Sequence, residues 1–140
     1  MNKQQLIYLA GPYTHKHKSV MRKREQAHGK AAGDLTKMGI HVYAPIPETC
    51  GMVKYGGLNE TSWEFWRGKD LNQLSRCDEI WVMDIEGWTK SLGVKGEVKF
   101  AVLNNIPVGI LNTELMTVFY PDQEELLTKF GVQKLEELND

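Results

Sequence analysis

An apolar run, Ile80-Trp81-Val82-Met83, precedes the segment Ser91-Leu92-Gly93-Val94-Lys95-Gly96-Glu97, with a short loop between them. The pattern is typical of a strand, a turn of small residues and the start of a helix. Glu97 lies three residues after Val94 and four before Ala101, so it shares a helical face with apolar residues. An acid on such a face is expected to point inward and to take part in chemistry.

The rest of the chain continues this alternation of strands and helices. We predict strands at 6–10, 41–44, 79–83, 107–111 and 117–119, and helices at 19–38, 61–77, 91–104 and 122–130. The helix at 61–77 begins with Thr61-Ser62-Trp63-Glu64, which has the spacing of a capping box, and the segment 48–60 before it lacks periodicity and predicts a long loop.

Alternating strands and helices imply right-handed crossovers and a mostly parallel sheet with helices on both faces. We therefore expect one flavodoxin-like (Rossmann-like) α/β domain over residues 1–140, with four or five strands in the order 2-1-3-4. Ligands of such sheets bind at the carboxyl ends of the strands where the order reverses. Here that point lies between strands one and three, at the loops 11–18 and 84–90.

Composition favours a globular protein that acts on a small molecule. The 140 residues are 41% hydrophobic and 25% charged, which suits one domain with its own core, and no apolar run is long enough to span a membrane. Residues 1–5 lead directly into a strand without a secretory signal, so we expect a cytoplasmic protein. Cys50 and Cys77 lack CxxC spacing and are expected to be reduced thiols. A net charge of −1 argues against a nucleic acid polymer as partner.

Glu97 is the first candidate for catalysis. We expect it near the start of its helix, where the macrodipole would keep it ionised, as a nucleophile must be. The same helix start, with the hydroxyl of Ser91 and the unhindered backbone of Gly93, suits a phosphate or another anion. The alternative is structural: Ser91 is only an N-cap and Glu97 only a first-turn acid.

Asp70 supplies a second carboxylate. It lies four residues after Trp66 and four before Leu74, on a partly apolar helical stripe. Two carboxyl groups in different environments are the minimum for glycosyl chemistry, since one attacks the anomeric carbon and the other protonates the leaving group. The alternative is a helix acid paired with Arg67 or Lys69.

Aromatic residues surround the two loops. Tyr8 and Tyr13 flank the turn Gly11-Pro12, and a tyrosine at a strand end is suited to donate a hydrogen bond to a carboxylate. For either ring taken singly, however, core packing alone is the more usual role. Three tryptophans are candidates for stacking on a base or for the core: Trp63, Trp66 and Trp88. We rank Trp88 first because it lies in the loop 84–90. The run His15-Lys16-His17-Lys18 is either a rim that attracts phosphate or a solvated surface.

Several of these residues also form a family pattern: Ile7-Tyr8-Leu9-Ala10-Gly11-Pro12-Tyr13, Asp70-Leu71, Leu74, Cys77-Asp78, Gly87-Trp88, Ser91-Leu92-Gly93-Val94 and Glu97. The pattern resembles the nucleoside 2-deoxyribosyltransferase superfamily, and most closely a little-characterised bacterial and phage branch of it. The resemblance implies that Glu97 is the nucleophile, Asp70 the acid that assists the leaving base, and Tyr8 the residue that orients Glu97. It also implies a double displacement without metal or organic cofactor, in a homodimer or larger homo-oligomer.

Position 91 separates the branches of that superfamily. Transferases of unphosphorylated nucleosides tend to have an acid there, whereas the deoxynucleoside 5′-monophosphate glycosidases have serine in a run like Ser91-Leu92-Gly93-Val94. The arginine that those glycosidases place after the first strand is Thr14 here, and the loop 84–90 is longer.

The resemblance therefore implies hydrolysis of the N-glycosidic bond of a (deoxy)nucleoside 5′-monophosphate. The substrate-binding residues would be Gly11, Pro12, Tyr13, Trp88, Ser91 and Gly93. Two alternatives stay open: base exchange between deoxynucleosides, and a nucleotide sensor without turnover.

Overall fold

The computed structural model describes residues 4–59 and 62–138. Its strands are β1 (Leu6–Ala10), β2 (His41–Tyr43), β3 (Glu79–Met83), β4 (Val108–Asn112) and β5 (Thr117–Phe119). They form one sheet in the order β2-β1-β3-β4-β5. The first four pair in parallel, and β5 adds to the edge as an antiparallel strand. The predicted α/β fold with a mostly parallel, flavodoxin-like sheet is confirmed.

The helices of the described residues are α1 (Lys18–Lys37), α2 (Pro45–Gly56), α3 (Trp63–Leu74), α4 (Leu92–Leu103) and α5 (Gln123–Lys129). Short 3₁₀ turns lie at Trp88–Lys90 and Leu135–Glu137. No helix in the described part of the chain is both long and apolar enough to cross a bilayer.

The prediction of a loop over 48–60 was wrong, because α2 occupies most of that segment. Pro45 and Pro47 suggested an interruption, but both lie in the first turn of the helix, where a proline removes no intrahelical hydrogen bond. Gly57, in the left-handed conformation at φ 73°, ends the helix.

The start of α3 also differs from the predicted capping box. Thr61 lies outside the described residues. Ser62 is the N-cap, and its side chain accepts a hydrogen bond from the backbone N–H of Phe65. The helix ends at Leu74, before the predicted limit at Cys77.

The sheet is buried on both faces by different helices. On one face, Tyr8 and Ile80 pack with Val94 and Val98 of α4 in a core cluster. On the other face, Leu9, Met83 and Leu111 pack with Ala31 and Leu35 of α1. Burial on both faces explains why β1 and β3 read as almost continuous apolar runs. The carboxyl ends of these two strands meet the loops 11–17 and 84–87, as expected.

Candidate active site

A cavity of about 340 Å³ opens beside the carboxyl ends of β1 and β3. This volume is near the lower end of the range of about 300–1,000 Å³ found for small-molecule sites. Its lining comes from the loop after β1, from α2 and α3, and from the segment that leads into α4. The described lining residues are Gly11, Tyr13, Thr14, Ile46, Thr49, Ser62, Trp63, Trp66, Asp70, Lys90, Ser91, Leu92, Gly93 and Glu97.

Glu97 lines this cavity and is only 5% exposed. Tyr8 reaches it from β1, and the tyrosine hydroxyl donates a hydrogen bond to Glu97 Oε2. Tyr8 is completely buried, and burial and the neighbouring carboxyl groups raise the pKa of its hydroxyl well above the usual range, so it stays a proton donor. The structure thus has the contact between Tyr8 and Glu97 that the family resemblance implies.

The protonation expected for Glu97 needs correction. Burial raises the pKa of Glu97 to about 8; the hydrogen bond from Tyr8 opposes the rise, and the charge of Asp70 adds to it. We expected a first-turn acid kept ionised by the helix dipole. With Ser91 as N-cap, Glu97 lies instead in the second turn of α4, where the effect of the dipole has fallen off and desolvation dominates.

Asp70 projects from α3 into the same cavity and is buried. Its Oδ1 has no hydrogen-bond partner among the described residues, and burial raises the pKa of the carboxyl group to about 6. Lys69, one suggested partner, instead binds the hydroxyl of Tyr43 at 2.7 Å and a carboxylate oxygen of Glu48 at 3.2 Å. Asp70 is therefore able to hold a proton near neutral pH and has an oxygen left for a ligand.

The turn after β1 divides its residues between the cavity and α1. Gly11 and Tyr13 line the cavity, whereas Pro12 does not; its carbonyl oxygen lies 3.3 Å from Nε2 of His28. A Cβ on Gly11 would lie 2.8 Å from Cε1 of His28, so only glycine fits there. His28 is fully buried, and burial lowers its pKa to about 4; it is therefore neutral and donates from Nε2 to the carbonyl of Pro12.

Arg24, one helical turn before His28, connects both loops. Its guanidinium group donates to the carbonyl oxygens of Thr14 at 3.0 Å, Tyr13 at 3.4 Å and Glu86 at 3.3 Å. Gly87 lies against this guanidinium group and has a φ of 96°, a conformation that favours glycine. The sequence analysis missed Arg24 and His28, although their spacing of four, in line with Ala31 and Leu35, could have shown that they face inward.

Of the three candidate tryptophans, the one ranked first does not line the cavity, whereas the other two do. Trp88, ranked first for stacking on a base, is buried in the core cluster and is not among the lining residues. Its Nε1 donates to Asp84 Oδ1 at 3.1 Å, and its ring packs edge-on against Phe130. These contacts indicate that Trp88 anchors the loop 84–90 instead of facing the cavity. Trp63 and Trp66 of α3 supply the aromatic wall.

The beginning of α4 faces the cavity. Ser91 is the N-cap: its Oγ accepts from the N–H of Val94 at 3.2 Å, while the residue also lines the cavity. Gly93 and Lys90 line it too, and Lys90 is the one basic residue of the described lining. Neither His15 nor Lys16 is part of that lining. Ser91 therefore has the structural role of an N-cap, one of the two roles considered from the sequence, and it lies on the cavity lining as well.

The described residues contain no group of three His, Cys, Asp or Glu side chains placed to hold a metal ion. Cys50 and Cys77 are free thiols. Fold and cavity together define a class: an α/β protein of flavodoxin-like topology with two buried carboxyl groups beside the point where the strand order reverses.

Comparison with known families identifies the family to which the chain belongs. A model described as a domain of unknown function, DUF1937, matches residues 5–113, and the protein belongs to that family. The matched region includes β1 to β4 and every described residue of the cavity lining. No curated protein matches the chain significantly.

Proposed function

We propose that the protein hydrolyses the N-glycosidic bond of a (deoxy)nucleoside 5′-monophosphate and releases the free base and the sugar phosphate. One observation carries this proposal: a buried glutamate, held by a tyrosine hydroxyl, shares a cavity with a buried aspartate that has an unpartnered oxygen. Two carboxyl groups are what a retaining glycosidase needs, since one carboxylate attacks the sugar and the other carboxyl group transfers protons.

In the first step, a carboxylate oxygen of Glu97 attacks C1′ of the sugar. The C1′–N bond breaks, its electron pair stays with the base, and Asp70 gives its proton to the leaving base. The product is an ester between the sugar phosphate and Glu97. Tyr8 keeps the carboxylate in place by donating to Oε2.

In the second step, water attacks C1′ of the ester. Asp70, now ionised, accepts a proton from the water, and the bond between C1′ and Glu97 breaks with its electron pair returning to the carboxylate. The cycle requires one proton on the carboxyl pair at the start. With pKa values of about 6 and about 8, the pair holds one proton near pH 7. Because Glu97 has the higher pKa, this proton resides mainly on Glu97 in the free protein and must move to Asp70 before the attack. The hydrogen bond from Tyr8 opposes the rise in the pKa of Glu97 and so favours that transfer.

The preference for a phosphorylated substrate is supported by the entrance to α4. The free N–H groups of a helix N-terminus and its dipole favour an anion. Lys90 adds a positive charge beside this helix start, and Thr14 lies on the cavity lining as well. No acidic side chain is present at position 91 to repel a phosphate.

The test is chromatography of nucleosides and nucleotides incubated with the protein. We expect free base and sugar phosphate from a deoxynucleoside monophosphate, and no release by Glu97→Ala. Glu114→Gln, which removes an exposed acid on a surface turn, is the matched control and should retain turnover. Wild-type turnover by Glu97→Ala would refute the assignment. Transfer to an added second base would show base exchange, and binding without release would show a sensor.

We also propose that the protein acts without metal or organic cofactor and as a homo-oligomer. Support for assembly comes from two exposed apolar side chains: Leu92 lines the cavity and is 55% exposed, and Phe65 on α3 is 52% exposed. Large apolar side chains that are exposed on a monomer can be buried where two subunits meet. Light scattering should give a mass above one chain, and Leu92→Glu should reduce it; a monomeric wild type would contradict the proposal.

A further inference from the structure

Three cavity residues lie on one stripe of α3. Trp63, Trp66 and Asp70 are separated by three and four residues, and all three line the cavity. The proton donor of the proposed reaction and the aromatic wall are therefore parts of one helix face. A base that receives a proton from Asp70 must lie beside this wall.

Trp63 also packs closely on α4. A Cβ on Gly96 would lie 2.6 Å from Cζ2 of the indole and 2.9 Å from both Cε2 and Nε1. A Cβ on Gly93, one turn earlier, would lie 3.4 Å from Cε3. The indole thus extends along the helix backbone from Gly93 to Gly96, in space that any side chain at position 96 would need.

The position of this contact ties it to the chemistry. Gly96 directly precedes Glu97 in α4. The backbone on which the indole packs and the proposed nucleophile therefore belong to the same helical turn. The distance between the wall and the attacking carboxylate then depends on how closely Trp63 approaches the backbone at Gly96. An indole that was displaced from the backbone at Gly96 towards the cavity would narrow that cavity.

We propose that Trp63 is the wall on which the base stacks and that Gly96 is a specificity-determining residue, which keeps the indole against α4 and leaves room for a two-ring base. This inference rests on the proposed function, since it places the base next to Asp70 and Glu97. Stacking on an indole tolerates any base, so the width of the space, rather than hydrogen bonding, decides between one ring and two.

The experiment compares Gly96→Ala with wild type on two substrates, 2′-deoxyguanosine 5′-monophosphate and 2′-deoxycytidine 5′-monophosphate. The added methyl group displaces Trp63 into the cavity, so the ratio of kcat/KM for the two-ring over the one-ring substrate should fall about tenfold. An unchanged ratio would overturn the proposal, as would a wild type that rejects the two-ring substrate altogether.

Two further variants separate this effect from a general loss of structure. Gly68→Ala adds the same methyl group within α3, where nothing lies within 4 Å, and should leave the ratio unchanged. In a Trp63→Leu background, Gly96→Ala should no longer alter the ratio, because the clashing indole is gone. Persistence of the effect without Trp63 would contradict the inference. Alanine favours a helix over glycine by about 1 kcal/mol, which offsets part of the cost of the clash with the indole. Thermal unfolding of Gly96→Ala, followed by circular dichroism, checks that the variant is folded under the assay conditions.

Calorimetry measures the binding of the same two nucleotides, so it distinguishes a failure of this inference from a failure of the proposed hydrolysis. If the wild type binds both and releases no base, the hydrolase proposal fails. The inference then requires the same tenfold change in the ratio of Kd values in Gly96→Ala. If neither nucleotide binds, both proposals are refuted.

Discussion

Replacing Glu97 with glutamine should stabilise the protein at alkaline pH. The pKa of Glu97 is about 8 in the folded protein, against an ordinary value of 4.5. Between these values the unfolded chain binds fewer protons at this site than the folded protein, so the free energy of unfolding falls as the pH rises. The glutamine side chain has nearly the same shape and carries no charge to bury.

The size of the effect follows from the pKa difference. About 3.5 units at about 1.4 kcal/mol each correspond to about 5 kcal/mol of lost stability once the pH is above 8. By the same linkage, the loss is about 1 to 2 kcal/mol at pH 5.5 and about 4 to 5 kcal/mol at pH 8.5. The difference in stability between Glu97→Gln and wild type should therefore grow by about 3 kcal/mol between these pH values.

Urea unfolding of both proteins at pH 5.5 and 8.5 measures this difference. Asp70 titrates in both proteins, so its contribution largely cancels. Glu114→Gln, the exposed control, should show no comparable growth. A stability difference that stays constant between the two pH values, or a glutamine variant less stable than wild type at pH 8.5, would refute the claim that burial keeps Glu97 protonated.

Three predictions concern activity. The value of kcat/KM should rise through about pH 6 and fall through about pH 8, because the reaction needs one proton on the carboxyl pair. Asp70→Asn should abolish the fall at alkaline pH. Steady-state rates from about pH 5 to about pH 9.5 check both expectations. Tyr8→Phe should lower kcat/KM about tenfold or more and raise the pKa of Glu97, since a hydrogen bond to a charged group contributes about 1.5–3 kcal/mol; an unchanged pH profile would count against it. Arg24→Met should raise KM more than it lowers kcat, and it should lower the free energy of unfolding by about 1–3 kcal/mol, because three hydrogen bonds to carbonyl oxygens are lost. Lys23→Met, on the exposed side of α1, should change neither the kinetic constants nor the stability.

The order of strands was predictable from periodicity because β1 and β3 are buried on both faces and stand out as apolar runs. The same order places the carboxyl ends of these strands together, and Glu97 and Asp70 were identifiable as acids on apolar helical faces. The α2 helix was missed because two prolines in its first turn resemble an interruption.

Other features depend on tertiary packing and could not be read from the sequence. Whether a loop tryptophan faces the cavity or the core depends on its tertiary contacts, which for Trp88 include the ring of Phe130. The pKa of Glu97 depends on the depth of its burial, which outweighs the hydrogen bond from Tyr8. The contacts of Arg24 join loops that are far apart in the chain, so local spacing indicates an inward-facing residue without naming its partners.

The central claim is that Glu97 forms a covalent bond to the sugar. Mass spectrometry of wild-type protein, quenched with acid during turnover of a deoxynucleoside monophosphate and digested, tests it directly. We expect the peptide that contains Glu97 to gain the mass of one deoxyribose phosphate less water, and Glu97→Gln to show no such gain. Base release by the wild type without any adduct on Glu97, or an adduct on another residue, would contradict the mechanism.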